Sequence, residues 1–147
     1  MLTATDTLTF NGGVTATAPG AIFIAGTVAA SGTYDITLDA VTLTADSTLR
    51  TVDGDITENE TIDGSYALII DAGTGDAMVS GGMNLAALTI DGGDITVDDI
   101  AAASGNITLT ATDSITLTGS SYGTSQQMYD AGGDANPIYV NEEVSFT

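Results

Sequence analysis

The sequence predicts an all-β fold, a parallel β-helix (β-solenoid) forming a single domain over residues 1–147. Three observations predict it: apolar and hydroxyl residues alternate, turn residues recur at short intervals, and similar strand sequences return along the chain. Alternation is clearest in ITLTAT (residues 107–112), where Ile107, Leu109 and Ala111 share one side and Thr108, Thr110 and Thr112 the other. Ile115 with Leu117, and Val41 with Leu43, repeat the scheme. Successive side chains of a strand point to opposite faces, so each segment buries one face and wets the other, where Thr is at home. Helical spacing is confined to two short stretches, around Leu85 and Ile100.

Turn signals separate these strands. They include Asn11-Gly12-Gly13, Asp53-Gly54, Asp63-Gly64, Asp71-Ala72-Gly73, Asp91-Gly92-Gly93, Ser104-Gly105-Asn106 and Gly132-Gly133-Asp134. Asp bonds its own backbone in turns and Gly supplies left-handed conformations, so short strands joined by tight turns follow. An immunoglobulin-like β-sandwich would show similar punctuation and is the alternative fold.

Recurrence favours the solenoid. LTATDTLTF (2–10) matches LTATDSITL (109–117) at an offset of 107, and VTLTADSTL from Val41 echoes ITLTATDSI from Ile107. DGDIT (53–57) returns as GGDIT (92–96) and SGNIT (104–108), and the final VSFT resembles VTLT from Val41. Together they indicate a long internal repeat of roughly 105 residues. Inside it, segments starting at Val41, Ala67, Leu88 and Ile107 are spaced by 26, 21 and 19 residues. A period near 20 is one coil of a β-solenoid, whose apolar face is buried only by its neighbours. The expected molecule is a rod of about seven coils, about 35 Å long, with Val41, Leu68, Leu88 and Leu109 in or near the same inward face and their strands stacked parallel.

Charge excludes several functions. Twenty acidic residues, sixteen of them Asp, face a single basic side chain, Arg50, and neither Lys nor His occurs. A net charge of −19 leaves nothing to neutralise nucleic-acid phosphates or anionic lipid. Cysteine is absent, which removes disulfides and thiolate chemistry. No apolar run is long enough for a membrane span, and the N-terminus lacks the basic-then-apolar layout of a signal peptide.

At this point the segments GDITV (93–97), GNITLTATDSITLTG (105–119), YALIIDAGTGD (66–76) and AALTIDGGDIT (86–96) resemble repeats of the filamentous-haemagglutinin-like and autotransporter-like surface proteins of bacteria. The resemblance implies right-handed parallel β-helices serving as a stalk or adhesive fibre, outside the cell or on its surface. The secretion domain of that family carries Asn-Pro-Asn motifs. Here the only Asn-Pro, Asn136-Pro137, is followed by Ile138, so the likeness is to the repeat region and carries over no binding residues.

Candidate chemistry rests on carboxylates. Asp53 with Asp55, or Asp91 with Asp94, could form the acid pair of a glycoside hydrolase, yet Asp is expected in turns anyway. A Ser nucleophile would lack a His base, and the expectation is that the chain is not an enzyme. Two clusters are candidate calcium ligands: Asp53, Asp55, Glu58 and Glu60, and Asp91, Asp94, Asp98 and Asp99. Calcium, or cations in general, would also relieve repulsion between acids stacked in register on neighbouring coils. The alternative is a solvated acidic face. Arg50 is read as the partner of a neighbouring carboxylate.

Two sequons, at Asn59 and Asn106, could accept glycans. The runs AIFIA (21–25) and ALII (67–70) read as strands covered on both faces, by a further chain segment or by another copy. Both termini are in strand phase, so the end strands are expected to stack on more β-structure. That would be the rest of a longer repeat chain or copies of the same chain polymerising head-to-tail into a filament or layer.

Overall fold

Ile56, Thr57 and Glu58 set the pattern that the whole chain follows: in, out, in. In the computed structural model, which describes residues 6–17, 20–102, 105–123, 126–133, 135–140 and 145–146, this short strand lies between two others like it. Ile36 pairs with Ile56 and Ile56 with Ala77, both in parallel register. Among the described residues every strand pairing is of this kind and there is no helix. The chain winds as a β-solenoid of about six turns, a little shorter than the seven coils expected from the sequence. The two stretches with helical spacing are strands, Met83–Leu85 and Ile100–Ala102 with Ala87–Val97 between them.

The pairings sort into three stacks. Stack one holds Val14–Ala16, Ile36–Leu38, Ile56–Glu58, Ala77–Val79, residues 95–97 and 115–117, and Ile138–Val140. Stack two holds residues 22–24 and 41–43, Ile62–Asp63, Met83–Leu85, Ile100–Ala102, Ser121–Tyr122 and Ser145–Phe146. Stack three holds Thr7–Phe10, residues 27–30 and 47–50, Ala67–Asp71, residues 87–91 and 107–110, and Gln127–Asp130. Four long strands turn corners without breaking. Ile22–Ala30 and Val41–Arg50 run from stack two into three, and Ala87–Val97 and Ile107–Leu117 from three into one. Register slips at these corners, between Ile24 and Gly26 and between Gly92 and Asp94, as a β-bulge requires when a strand bends.

Inward residues of the three stacks fill one continuous core. Stack one supplies Ile36, Ile56, Ala77, Ile95 and Ile115. Stack two supplies Val41, Ile62, Met83, Ile100 and Tyr122, and stack three Val28, Leu49, Ile70, Ile90 and Leu109. Burying each Ile or Leu contributes about 1.5–3 kcal/mol, and no single coil can bury its own. Outward positions carry threonine columns: Thr37, Thr57, Thr96 and Thr116 in stack one, and Thr27, Thr48, Thr89 and Thr108 in stack three.

Val41, Leu68, Leu88 and Leu109 are all buried; the three leucines share the inward face of stack three, and Val41 lies apart from them. Val41 belongs to stack two, where its partner is Ile62. Leu68 and Leu88 pair in stack three, and Leu109 sits two residues further along it, opposite Ile90. The 26-residue spacing read from Val41 to Ala67 therefore crosses from one stack to another. True coil lengths run from 17 residues (Met83 to Ile100) to 24 (Ser121 to Ser145). Segments alike at the offset of 107 occupy different stacks, Thr7–Phe10 in three and residues 115–117 in one. The runs expected to be covered on both faces each keep an exposed residue instead: Phe23 points outward between half-buried Ile22 and buried Ile24, and Ile69 between buried Leu68 and Ile70.

Candidate functional site

Aspartates line the edge where the chain enters stack one. Asp35, Asp55, Asp76 and Asp94 each sit one residue before a stack-one strand, so parallel register brings them into a column. The Oδ1 of each accepts a bond from the next coil. Asp55 N–H donates to Asp35, Asp76 N–H to Asp55 and Asp94 N–H to Asp76, each at 2.9 Å, and Ser114 Oγ donates to Asp94 at 2.6 Å. The column thus satisfies turn N–H groups that the ladders leave over. A shallow groove of about 270 Å³ runs beside it, lined by Asp55, Asp76, Asp94, Thr57, Thr96 and Met78.

Asp99 plays the same part at another corner. Its Oδ1 takes the N–H groups of Ser120 at 2.6 Å and Ser121 at 2.8 Å, and these bonds hold its carboxyl below the usual range. Asp53 accepts from Thr74 Oγ1 at 2.8 Å. Arg50 pairs with Asp71 at 3.2 Å, in the register of stack three, which is the partnership read for it from the sequence.

The acidic clusters of the sequence are dispersed by these placements. Of the first, Asp53 lies at a corner, Asp55 in the column, Glu58 in the core and Glu60 on the surface. Of the second, Asp91 is opposite Asp71 in stack three, Asp94 closes the column, Asp98 follows stack one, and Asp99 binds the Ser120 turn. Among the described residues no three Asp or Glu side chains converge where they could hold a metal ion. Of the two sequon asparagines, Asn59 donates to Asp39 at 3.3 Å and Asn106 is exposed ahead of Ile107–Leu117.

Glu58 is the exception in this acidic surface. Its column in stack one reads Leu38, Glu58, Val79, Val97, Leu117, and its side chain is 0 % exposed. Neither carboxyl oxygen has a hydrogen-bond partner among the described residues. Burial, with the charge of Asp39 nearby, pushes its pKa up to about 8. The carboxyl is therefore mostly protonated at neutral pH, since an unpaired charge in an apolar core costs far more than a proton. Alternation from Ile56 carries this placement in the sequence. The reading of Glu58 as a surface calcium ligand overlooked that phase.

Tyr122 shows how a polar core group is accommodated when partners exist. Its hydroxyl donates to Val97 O at 3.1 Å and accepts from Gly119 N–H at 2.7 Å, and burial raises its pKa to about 12.

At the first described coil, apolar side chains are exposed among the described residues. Leu8 continues the inward column of Val28 and Leu49, yet it is 41 % exposed, and Phe23 is 71 % exposed. Together with Phe10, Val14, Ala16, Ile22 and Leu38 they line an apolar groove of about 190 Å³. At the last coil Ile138, Tyr139 and Val140 are all exposed. Comparison with known protein families, with curated proteins and with solved structures finds no match.

Proposed function

We propose that the chain is a non-enzymatic structural or adhesive segment of an extended extracellular fibre or stalk, of the kind built by the surface repeat proteins that its segments resemble. One observation carries this reading. The three stacks run unbroken through the described residues, each coil buried by its neighbours, and among the described residues the outermost rungs leave the inward Leu8, Ile138 and Val140 exposed. Free-standing solenoids blunt their end strands with caps, charges or Pro. On this reading those exposed rungs receive further β-structure. That structure is the remainder of a repeat polypeptide or, in the second reading, the next copy of the chain in a head-to-tail filament or layer. Dispersed carboxylates, several of which bond turn N–H groups, suit a scaffold better than a reaction centre.

The test is the association state of the purified chain, by light scattering across a hundredfold range of concentration. End-to-end oligomers are expected, and Leu8→Asp, which places a charge on the exposed rung, is expected to reduce them sharply. A chain that stays monomeric at the highest concentration, with Leu8→Asp behaving identically, overturns the reading.

A further inference from the structure

Glu58 stands at a position where the fold asks for an aliphatic side chain. Its stack neighbours on either side are Leu38 and Val79, and the core of the same three coils includes Val41, Ile62 and Met83 from stack two and Leu49, Ile70 and Ile90 from stack three. A neutral carboxylic acid fits such a site with two unmade hydrogen bonds, a cost on the order of 1–3 kcal/mol. An ionised one does not fit, because a buried charge without a partner is penalised by several times that amount.

No basic side chain of this sequence is left to compensate such a charge. The only basic side chain, Arg50, is in stack three and paired with Asp71. Apart from Arg50, every titratable group on the strands packed around Glu58 is acidic, including Asp46, Asp71 and Asp91 on the strands that pass through stack three. Asp35 and Asp39 flank Ile36–Leu38, Asp76 precedes Ala77–Val79, and Asp55, Glu60 and Asp63 share the coil. Asp39 acts on it directly, and in the direction that opposes ionisation. Loss of the proton can then be met only by movement. The side chain leaves the core, or water enters it, and either event parts the rungs on both sides. Two backbone bonds bracket the site: Asn59 N–H to Leu38 O at 3.0 Å, and Ser80 N–H to Glu58 O at 2.9 Å. They are the bonds that such a movement breaks.

We propose that Glu58 makes its coil a pH-sensitive joint of the solenoid, closed while the carboxyl carries a proton and loosened when it ionises. The joint lies in the interior of the stack, with stack-one strands on both sides, so its opening does not depend on what covers the ends. It therefore stands or falls separately from the proposed fibre role.

The sign follows from linkage. The folded state holds this proton to a higher pH than the unfolded chain, so the contribution is fully present below about pH 4.5. It is lost progressively as pH rises through about 8. The experiment compares the wild type with Glu58→Val, which completes the aliphatic column, and Glu58→Gln, which keeps the shape but cannot ionise. Thermal midpoints are recorded from pH 5 to pH 9 at fixed ionic strength, with carbon NMR of the labelled carboxyl and amide exchange at Asn59 and Ser80. The expected outcome is a wild-type midpoint that falls across this range more steeply than that of either variant. The carboxyl should titrate near pH 8, and both amides should exchange faster above it in the wild type alone. If Glu58→Val does not fold, Glu58→Gln decides. A carboxyl that titrates near 4.5, or wild-type and Gln profiles that run parallel, overturns the joint.

Discussion

Asp76 illustrates what acidic residues do at the level of single side chains. Its Oδ1 accepts the Asp94 N–H while its charge sits about one coil, about 4.8 Å, from those of Asp55 and Asp94. The hydrogen bond needs an oxygen and not a charge. Asp76→Asn is therefore expected to keep stability within about 0.5 kcal/mol of wild type, or to raise it at low salt. Asp76→Ala should cost about 1 kcal/mol by removing the acceptor. Urea unfolding midpoints check this, and equal losses for Asn and Ala would show that the charge itself is required. The sequence announced aspartates at turns but not their alignment, because each bond joins residues 18 to 21 positions apart and the turn residues alone do not reveal coil length. Glu58 was legible from the in-out-in phase of its strand. An acidic residue near others reads as surface, and that expectation outweighed the phase.

Corners are where element-level constraints concentrate. Gly54 and Gly75 stack at the turn ahead of stack one, and a Cβ on Gly75 would run into the carbonyl oxygen of Gly54. Gly75→Ala is thus expected to destabilise by on the order of 2–4 kcal/mol. Gly12→Ala, where a Cβ meets nothing within 4 Å, should stay within about 0.5 kcal/mol of wild type. Thermal unfolding of the two variants separates these outcomes, and a Gly75 variant as stable as wild type would contradict the packing described. Strands themselves were readable from alternation and their ends from Gly and Asp. Coil phase was not, because corner lengths vary and the recurring sequences mark a strand rounding a corner. VTLTADSTL rounds the corner from stack two to three, and ITLTATDSI the corner from three to one.

For the molecule as a whole, a net charge of −19 means self-repulsion along the rod. Added salt should raise the thermal midpoint, and calcium should do no more than magnesium at matched ionic strength, since the carboxylates of the described residues do not converge. A rise specific to calcium would restore a chelating site. Two carboxyls set the pH window: Asp99 loses its contribution as pH falls through its lowered value, below 3.8, and Glu58 as pH rises toward 8. Stability should peak between, near pH 4–5. All of this rests on one claim, that the chain is a three-stack parallel solenoid with coils of about 20 residues. The chain has no cysteine, so the claim can be tested with pairs of introduced thiols. Thr37→Cys with Thr57→Cys in stack one, and Thr89→Cys with Thr108→Cys in stack three, are register partners whose Cα atoms lie within disulfide reach. Thr48→Cys with Thr57→Cys, which an antiparallel hairpin would bring together, lies across different stacks. Oxidation of the monomer is expected to close the first two pairs and leave the third open. Closure of the Thr48–Thr57 pair, with Thr37–Thr57 and Thr89–Thr108 open, would contradict the solenoid.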